Sequence, residues 1–147
     1  MRSRRDISTS RLRNFVFGVE DSLVSTVGLL SGIAMADVSK QTILLTGIVL
    51  IFVEAFSMAV GSFLSENSAD EYAAQTKTSY GQNAFDGVIM FLSYFISGFV
   101  PIFPYIIFPV TSAFWISIVL SLFALFLLGA TVGRFAHLGI FRGGLRM

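Results

Sequence analysis

Three acidic side chains lie inside long apolar segments of this chain, and one of them is one helical turn from a methionine. Glu20 and Asp21 are in the first such segment, and Glu54 stands four residues before Met58 in the second. A charged side chain at the centre of a membrane-spanning helix costs about 2.5–3.5 kcal/mol to insert, so these residues usually serve a function. A carboxylate and a thioether offer one hard and one soft ligand, a combination that can bind a transition-metal cation.

Asp21 and Met58 are predicted to lie at nearly the same depth. Asp21 is six residues from the start of a first helix over about 15–36, roughly 9 Å inward. Met58 is seven residues from the end of a second helix over about 42–65, roughly 10 Å inward. The two helices are joined by a short loop and are therefore antiparallel. Small and polar residues repeat around both positions at intervals typical of one helix face. They are Asn14, Asp21, Ser25, Gly28 and Gly32 on the first helix, and Gly47, Glu54, Met58, Gly61 and Ser65 on the second.

Four apolar segments must position these side chains. They cover about 15–36, 42–65, 87–108 and 111–134, and each is long enough to cross a hydrocarbon core of roughly 30 Å. Hydrophobic residues make up 54% of the chain and charged residues only 13%, against about 25% in a typical soluble domain. The sequence therefore predicts an all-α, polytopic membrane protein with four transmembrane helices. It forms a single transmembrane domain over 1–147, with a linker at 66–86.

The basic residues predict the orientation of the helices. Of the ten Lys and Arg residues, nine lie before the first helix, in the 66–86 linker, or at and beyond the end of the fourth helix. Only Lys40 lies in a loop on the other side. Because Lys and Arg accumulate in cytoplasmic loops, both termini and the linker are expected in the cytoplasm.

The composition also excludes several kinds of chemistry. The chain has no cysteine, which rules out disulfides and thiolate metal sites. It has no Gly-rich phosphate loop, no HExxH motif and no plausible Ser/His/Asp set, so we expect neither an enzyme nor a resident cofactor. The basic N-terminus is a topology signal that also suits anionic lipid, and no nucleic-acid partner is expected.

Three stretches carry a resemblance to a known family. They are RNFVFGVEDSLVSTVGLLSGIA at 13–34, EAFSMAVGSFLSE at 54–66 and SYFISGFVPIFPY at 93–105. In order and spacing the chain resembles the vacuolar iron transporter family, which includes yeast vacuolar importers and plant nodulin-like proteins. The resemblance implies a homodimer that exchanges ferrous or manganous ion for protons. The family's helix 1 aspartate, in its FG-x-x-DG motif, falls on Asp21, and the methionine of its SMA motif falls on Met58.

The chain departs from the family pattern at several positions. Ser22 replaces a glycine, and Ser62 replaces a glutamate near the cytoplasmic mouth. We expect Glu54 to substitute for that missing carboxylate as a metal ligand or proton carrier. Many members insert a glutamate-rich, metal-collecting domain between helices 2 and 3. In the short linker of this chain only Glu66, Asp70 and Glu71 could take that part, unless they are simply a solvated helix end. The chain stops where most members have a fifth helix, which predicts a four-helix variant or a truncated form.

Together these features predict proton-coupled transport of a divalent transition metal, Fe²⁺ or Mn²⁺. The predicted metal residues are Asp21, Met58, Glu54, Glu66 and Asp70. The expected partners are the metal ion as substrate, the lipid bilayer, and a second copy of the chain. The second copy would pack on small-residue pairs, Gly28–Gly32 or Gly129–Gly133.

Two alternatives stay open. The first is a small multidrug-type exporter that exchanges protons for organic cations, and the second is a non-transporting, truncated membrane subunit. The short loops favour a prokaryotic plasma membrane, with the vacuolar membrane as the expectation for a eukaryotic source.

Overall fold

A computed structural model describes residues 4–74, 80–135 and 144 of the chain. Within these residues it contains four α-helices and no strand: α1 (Arg4–Ala34), α2 (Lys40–Ala74), α3 (Tyr80–Ile107) and α4 (Val110–Phe135). Each helix contains a segment long and apolar enough to cross a membrane. The predicted all-α class with four membrane-length helices is therefore confirmed. Both chain termini lie outside the described residues, and their cytoplasmic location stays a prediction.

Three helices extend beyond their expected bounds at one end of the bundle. This is the end at which α1 and α3 begin and α2 and α4 finish. We call this the N-terminal end of the bundle. There α1 begins at Arg4, α2 continues to Ala74, and α3 begins at Tyr80. The expected linker at 66–86 is thus helical over 66–74 and 80–86. Polar side chains in these extensions pair with one another across α1, α2 and α3, which stabilises the extended ends of these three helices.

Two short turns connect the helices at the opposite end. Asp37 adopts a left-handed conformation (φ 54°), which aspartate tolerates better than most residues. Ser39 then caps α2, since its Oγ accepts a hydrogen bond from the Thr42 amide at 3.2 Å. At the second turn, the Pro109 carbonyl accepts two amides from the first turn of α4, at 3.1 and 2.9 Å. These turns make consecutive helices antiparallel neighbours.

The third helix lies at the centre of the packing, because α1 and α2 both contact α3 extensively. Glycines allow the close approach. A Cβ at Gly18 of α1 would lie 3.0 Å from the Ser93 Cβ, and a Cβ at Gly98 of α3 would lie 2.7 Å from Ile51 Cγ1. The apolar core sits toward the turn end of the bundle. It is formed by Leu30, Ile43, Ile51, Ile102, Tyr105 and Ala113.

Large apolar side chains cover the outside of the bundle. Phe52, Phe56, Phe103 and Trp115 are each more than half exposed, and many further aliphatic side chains are exposed with them. A soluble monomer rarely exposes so much contiguous apolar surface. Lipid acyl chains would cover it in a bilayer, in agreement with the membrane-length helices.

Candidate metal site

A cavity of about 540 Å³ opens at the N-terminal end of the bundle, between α1, α2 and α3. Two of the predicted metal residues, Met58 and Glu66, contribute to its wall. Because they are eight residues apart on α2, they share a helix face and lie roughly 12 Å apart along its axis. The other residues that matter for the chemistry of the cavity are Arg13, Asn14, Ser62 and Met90.

Glu66 is a buried carboxylate with two identified partners on α1. Its side chain is only 6% exposed, whereas the side chain of Arg13, which forms an ion pair with it, is 68% exposed. Ser10 donates a second hydrogen bond, from Oγ to Glu66 Oε1 at 2.9 Å. The carboxylate thus contributes to the cavity wall, and its identified partners include one buried hydroxyl and one exposed guanidinium.

Asp70, the outermost predicted metal residue, joins α2 to α3. Its Oδ2 accepts a hydrogen bond from Asn83 Nδ2 at 2.9 Å, and the same amide nitrogen donates to Asn67 Oδ1 at 2.7 Å. At the same end of the bundle, Asp86 of α3 forms an ion pair with Arg11 of α1, with 3.6 Å between Asp86 Oδ1 and Arg11 Nε. These contacts connect the three helices at the N-terminal end of the bundle.

Asp21 and Glu54 are half-buried and do not line the cavity. Both carboxylates act electrostatically on the side chain of Tyr94, which is fully buried in α3. The Tyr94 hydroxyl is 2.6 Å from Ser25 Oγ, and Ser22 Oγ donates to the Tyr94 carbonyl at 2.7 Å. Tyr94 therefore holds the turn of α1 that carries Asp21.

The five predicted residues thus fall into three places. Met58 and Glu66 line the cavity, Asp21 and Glu54 lie outside it and act electrostatically on Tyr94, and Asp70 accepts a hydrogen bond from Asn83. In the part of the chain that the structure describes, no group of three His, Cys, Asp or Glu side chains could hold a metal ion. The pairing of Asp21 with Met58 stays a prediction.

The structure adds residues to the candidate site that the sequence reasoning did not assign to it. Met90 of α3 brings a second thioether to the cavity, and Asn14 and Arg13 bring an amide and a guanidinium. The helix-face pattern already included Asn14, so that signal was available. Met90 had no comparable signal, because a methionine in an apolar helix is indistinguishable by pattern from one that only fills the core.

The glycine pairs named as dimer contacts differ in their surroundings. Gly28 and Gly32 of α1 are exposed, and a Cβ at either would meet no atom within 4 Å. Gly61 of α2 is equally open. Gly129 and Gly133 of α4 are instead buried within the chain itself. Of the two pairs, only that of α1 offers a free small-residue surface.

Comparison with known protein families finds a family model that matches the chain. The model of the VIT family matches residues 12–84 and 78–147, which together cover nearly the whole chain. The chain belongs to the VIT family. The predicted resemblance to vacuolar iron transporters is therefore confirmed.

Plant proteins are among the curated relatives of this VIT-family chain. It is 35% identical over 77 residues to vacuolar iron transporter homolog 1 of Oryza sativa subsp. japonica, an alignment that covers 52% of the chain and 33% of the relative. It is 41% identical over 71 residues to vacuolar iron transporter homolog 4 of Arabidopsis thaliana, covering 48% and 36%. A longer alignment, 24% identical over 184 positions, relates it to vacuolar iron transporter 1 of Arabidopsis thaliana and covers 84% and 74%. The chain thus spans about a third of the length of the first two relatives.

Proposed function

We propose that this chain transports a divalent transition-metal cation, Fe²⁺ or Mn²⁺, across a membrane in exchange for protons. The observation that carries the proposal is the cavity lined by Met58, Met90 and the buried Glu66 within a bundle of membrane-length helices. A carboxylate suits a hard cation such as Mn²⁺, and a thioether adds a soft ligand that suits a more borderline cation such as Fe²⁺. Membership of the VIT family and the names of the plant relatives support the same substrate class.

The proposed path starts at the N-terminal end, which the charge pattern assigns to the cytoplasm. Acidic groups there, including Asp70, attract the cation, and Glu66 replaces part of its water shell. The cation then moves along α2 to Met58. Ser62 lies between the two, four residues from each, so its hydroxyl offers an intermediate contact.

In this proposal, Asp21 and Met58 form the transport site, and Glu54 carries the proton. A divalent cation bound at Asp21 and a proton bound at Glu54 would repel one another if both were present. The protein would therefore carry the metal and the proton one at a time, which gives exchange rather than co-transport. The Tyr94 and Ser25 hydroxyls are hydrogen-bonded to one another, and both carboxylates act electrostatically on Tyr94, which supports a part for these hydroxyls in the proposed proton route.

The transport unit in this proposal is a homodimer that closes on α1 and α2. The open surface at Gly28, Gly32 and Gly61 supports this arrangement, because small residues allow helices of two subunits to approach closely in a bilayer. Asp21 shares a helix face with Gly28 and Gly32, so a two-fold axis there would bring the carboxylates and thioethers of two protomers together. The proposed location is a plasma membrane of a prokaryote, or the vacuolar membrane in a eukaryote.

Metal uptake into proteoliposomes tests the function and its site. We expect Mn²⁺ to accumulate inside the liposomes when their interior is more acidic than the outside solution, so that protons leave as the metal enters. We expect Asp21→Ala and Met58→Ala each to abolish this uptake at unchanged protein levels. Full uptake by both variants would contradict the site. Glu54→Gln should uncouple metal flux from proton flux, and unchanged coupling would make Glu54 structural.

The same liposomes separate the two alternatives. A multidrug-type exporter would move a quaternary ammonium dye and leave Mn²⁺ outside. A truncated subunit would move neither alone, but would form a stable complex with a longer family member.

A further inference from the structure

Two buried polar atoms on the cavity wall have no hydrogen-bond partner. One is Nδ2 of Asn14, whose residue is only 4% exposed, and the other is Oγ of Ser62. Buried polar groups are nearly always paired, because leaving one unpaired costs its full desolvation free energy. Two such atoms on one cavity therefore point to a polar ligand that occupies it.

The donor groups around these atoms suit a hard cation. Ser62 and Glu66 are one helical turn apart on α2, roughly 6 Å along the axis, and Asn14 faces them from α1. An asparagine side chain carries both an amide nitrogen and a carbonyl oxygen, and a half-turn about its last bond exchanges them. The three side chains can therefore present a hydroxyl, an amide oxygen and a carboxylate, the oxygen ligands that Mn²⁺ accepts.

Arg13 holds the carboxylate of this group in the structure. Its guanidinium pairs with Glu66, so a cation that approaches the carboxylate must compete with it. The two side chains are unequally exposed, since that of Arg13 is 68% exposed and that of Glu66 is 6% exposed. Arg13 can swing out into the surrounding medium while the Ser10 hydroxyl, 2.9 Å from Glu66 Oε1, keeps the carboxylate in place.

The geometry points to an entry site for a hydrated divalent cation, formed by Asn14, Ser62 and Glu66 and closed by Arg13. The cation displaces Arg13 from Glu66, and Asn14 and Ser62 replace part of its water. This inference rests on the proposed function for the onward path to Met58, whereas the binding event itself does not require transport. Arg13 thus blocks the entry site reversibly, and only a cation that competes with its guanidinium for the Glu66 carboxylate can enter.

The test measures Mn²⁺ binding to the full chain in lipid nanodiscs, from the electron paramagnetic resonance signal of free Mn²⁺. Asp21→Asn and Met58→Leu are present throughout, so that the proposed transport site is removed. In this background Arg13→Gln should tighten binding about tenfold, the factor expected if closure by Arg13 leaves one molecule in ten competent. Adding Asn14→Leu or Glu66→Gln should reverse the gain.

Arg11→Gln is the matched control. Arg11 lies on the same helix and also pairs with a buried carboxylate, that of Asp86, but does not line the cavity. Its substitution should leave Mn²⁺ affinity unchanged. If Arg13→Gln does not yield folded protein, Arg13→Lys takes its place. A lysine retains the charge but lacks the planar fork, so a smaller gain in affinity is expected.

The outcomes separate this inference from the proposed function. Equal Mn²⁺ affinity in the Arg13, Arg11 and Glu66 variants overturns the entry site, whether or not the unmodified protein transports metal. Arg13-dependent binding in a protein that moves no metal supports the entry site and contradicts the proposed function.

Discussion

The packing of α3 against α1 and α2 predicts that Gly98→Ala destabilises the bundle. A Cβ at Gly98 would lie 2.7 Å from Ile51 Cγ1, 2.8 Å from Ile51 Cδ1 and 2.9 Å from Ser22 Oγ. Carbon atoms normally approach to about 3.5–4.0 Å, so the neighbours must move by close to an ångström. Neither neighbour is free to move, because Ile51 is fully buried and Ser22 is hydrogen-bonded to the Tyr94 carbonyl.

The expected change in the free energy of unfolding is the difference between two effects. Overpacking a core typically costs about 1–3 kcal/mol, and replacing a helical glycine by alanine returns about 1 kcal/mol through helix propensity. Three atoms lie within 3.0 Å of the added Cβ, which places the overpacking cost in the upper part of its range, about 2–3 kcal/mol. A net loss of about 1–2 kcal/mol is therefore expected, and this corresponds to a fall of about 2–8 °C in melting temperature for a chain of this size.

Thermal unfolding of the detergent-purified protein, followed by tryptophan fluorescence and light scattering, measures this shift. Gly81→Ala, on the same helix, is the matched control, since a Cβ there meets nothing within 4 Å and only the gain in helix propensity remains. A Gly98→Ala protein that melts at or above the native temperature would refute the packing of α3 described above.

Two further predictions concern the site and the dimer. Tyr94→Phe removes the hydroxyl bonded to Ser25, which should cost about 1 kcal/mol of stability and slow Mn²⁺ uptake. In melting and uptake measurements, Ser25→Ala should then add little to Tyr94→Phe, and fully additive losses would show that the two hydroxyls act independently. Gly28→Leu should leave the helix content unchanged but convert the dimer to monomer in light scattering after size exclusion, because the small-residue surface is filled. Val119→Leu, on the exposed surface of α4, is its control, and a Gly28→Leu protein that remains dimeric would remove α1 from the interface.

The number and type of the helices could be predicted from the sequence because they follow from apolar runs of membrane length. The extent of the helices at the N-terminal end of the bundle could not be predicted. Glu66 and Asp86 are polar and looked like parts of a solvated linker, yet both are buried in helices and paired with Arg13 and Arg11. Such pairs depend on which helix lies next to which, and a single helix pattern does not contain that information.

The sequence allows an estimate of the depth of the candidate site, but not of the rotation of its helices. Helical rise alone predicts that Asp21 and Met58 lie at one level of the bundle. The direction in which each side chain points depends instead on how α1 packs against α3, where Ser22 and Ser25 bond to Tyr94. The role of Met90 depends on that same packing.

Direct location of the metal in the protein tests the central claim. Crystals or grids of the full chain prepared with Mn²⁺ should show anomalous or difference density between the Asp21 carboxylate and the Met58 thioether, contributed by both protomers of a dimer. Ligand distances of about 2.0–2.2 Å to oxygen, and somewhat longer to sulfur, would identify a bound transition metal. Metal density confined to other positions, with Asp21 and Met58 unoccupied in a folded dimer, would contradict the account.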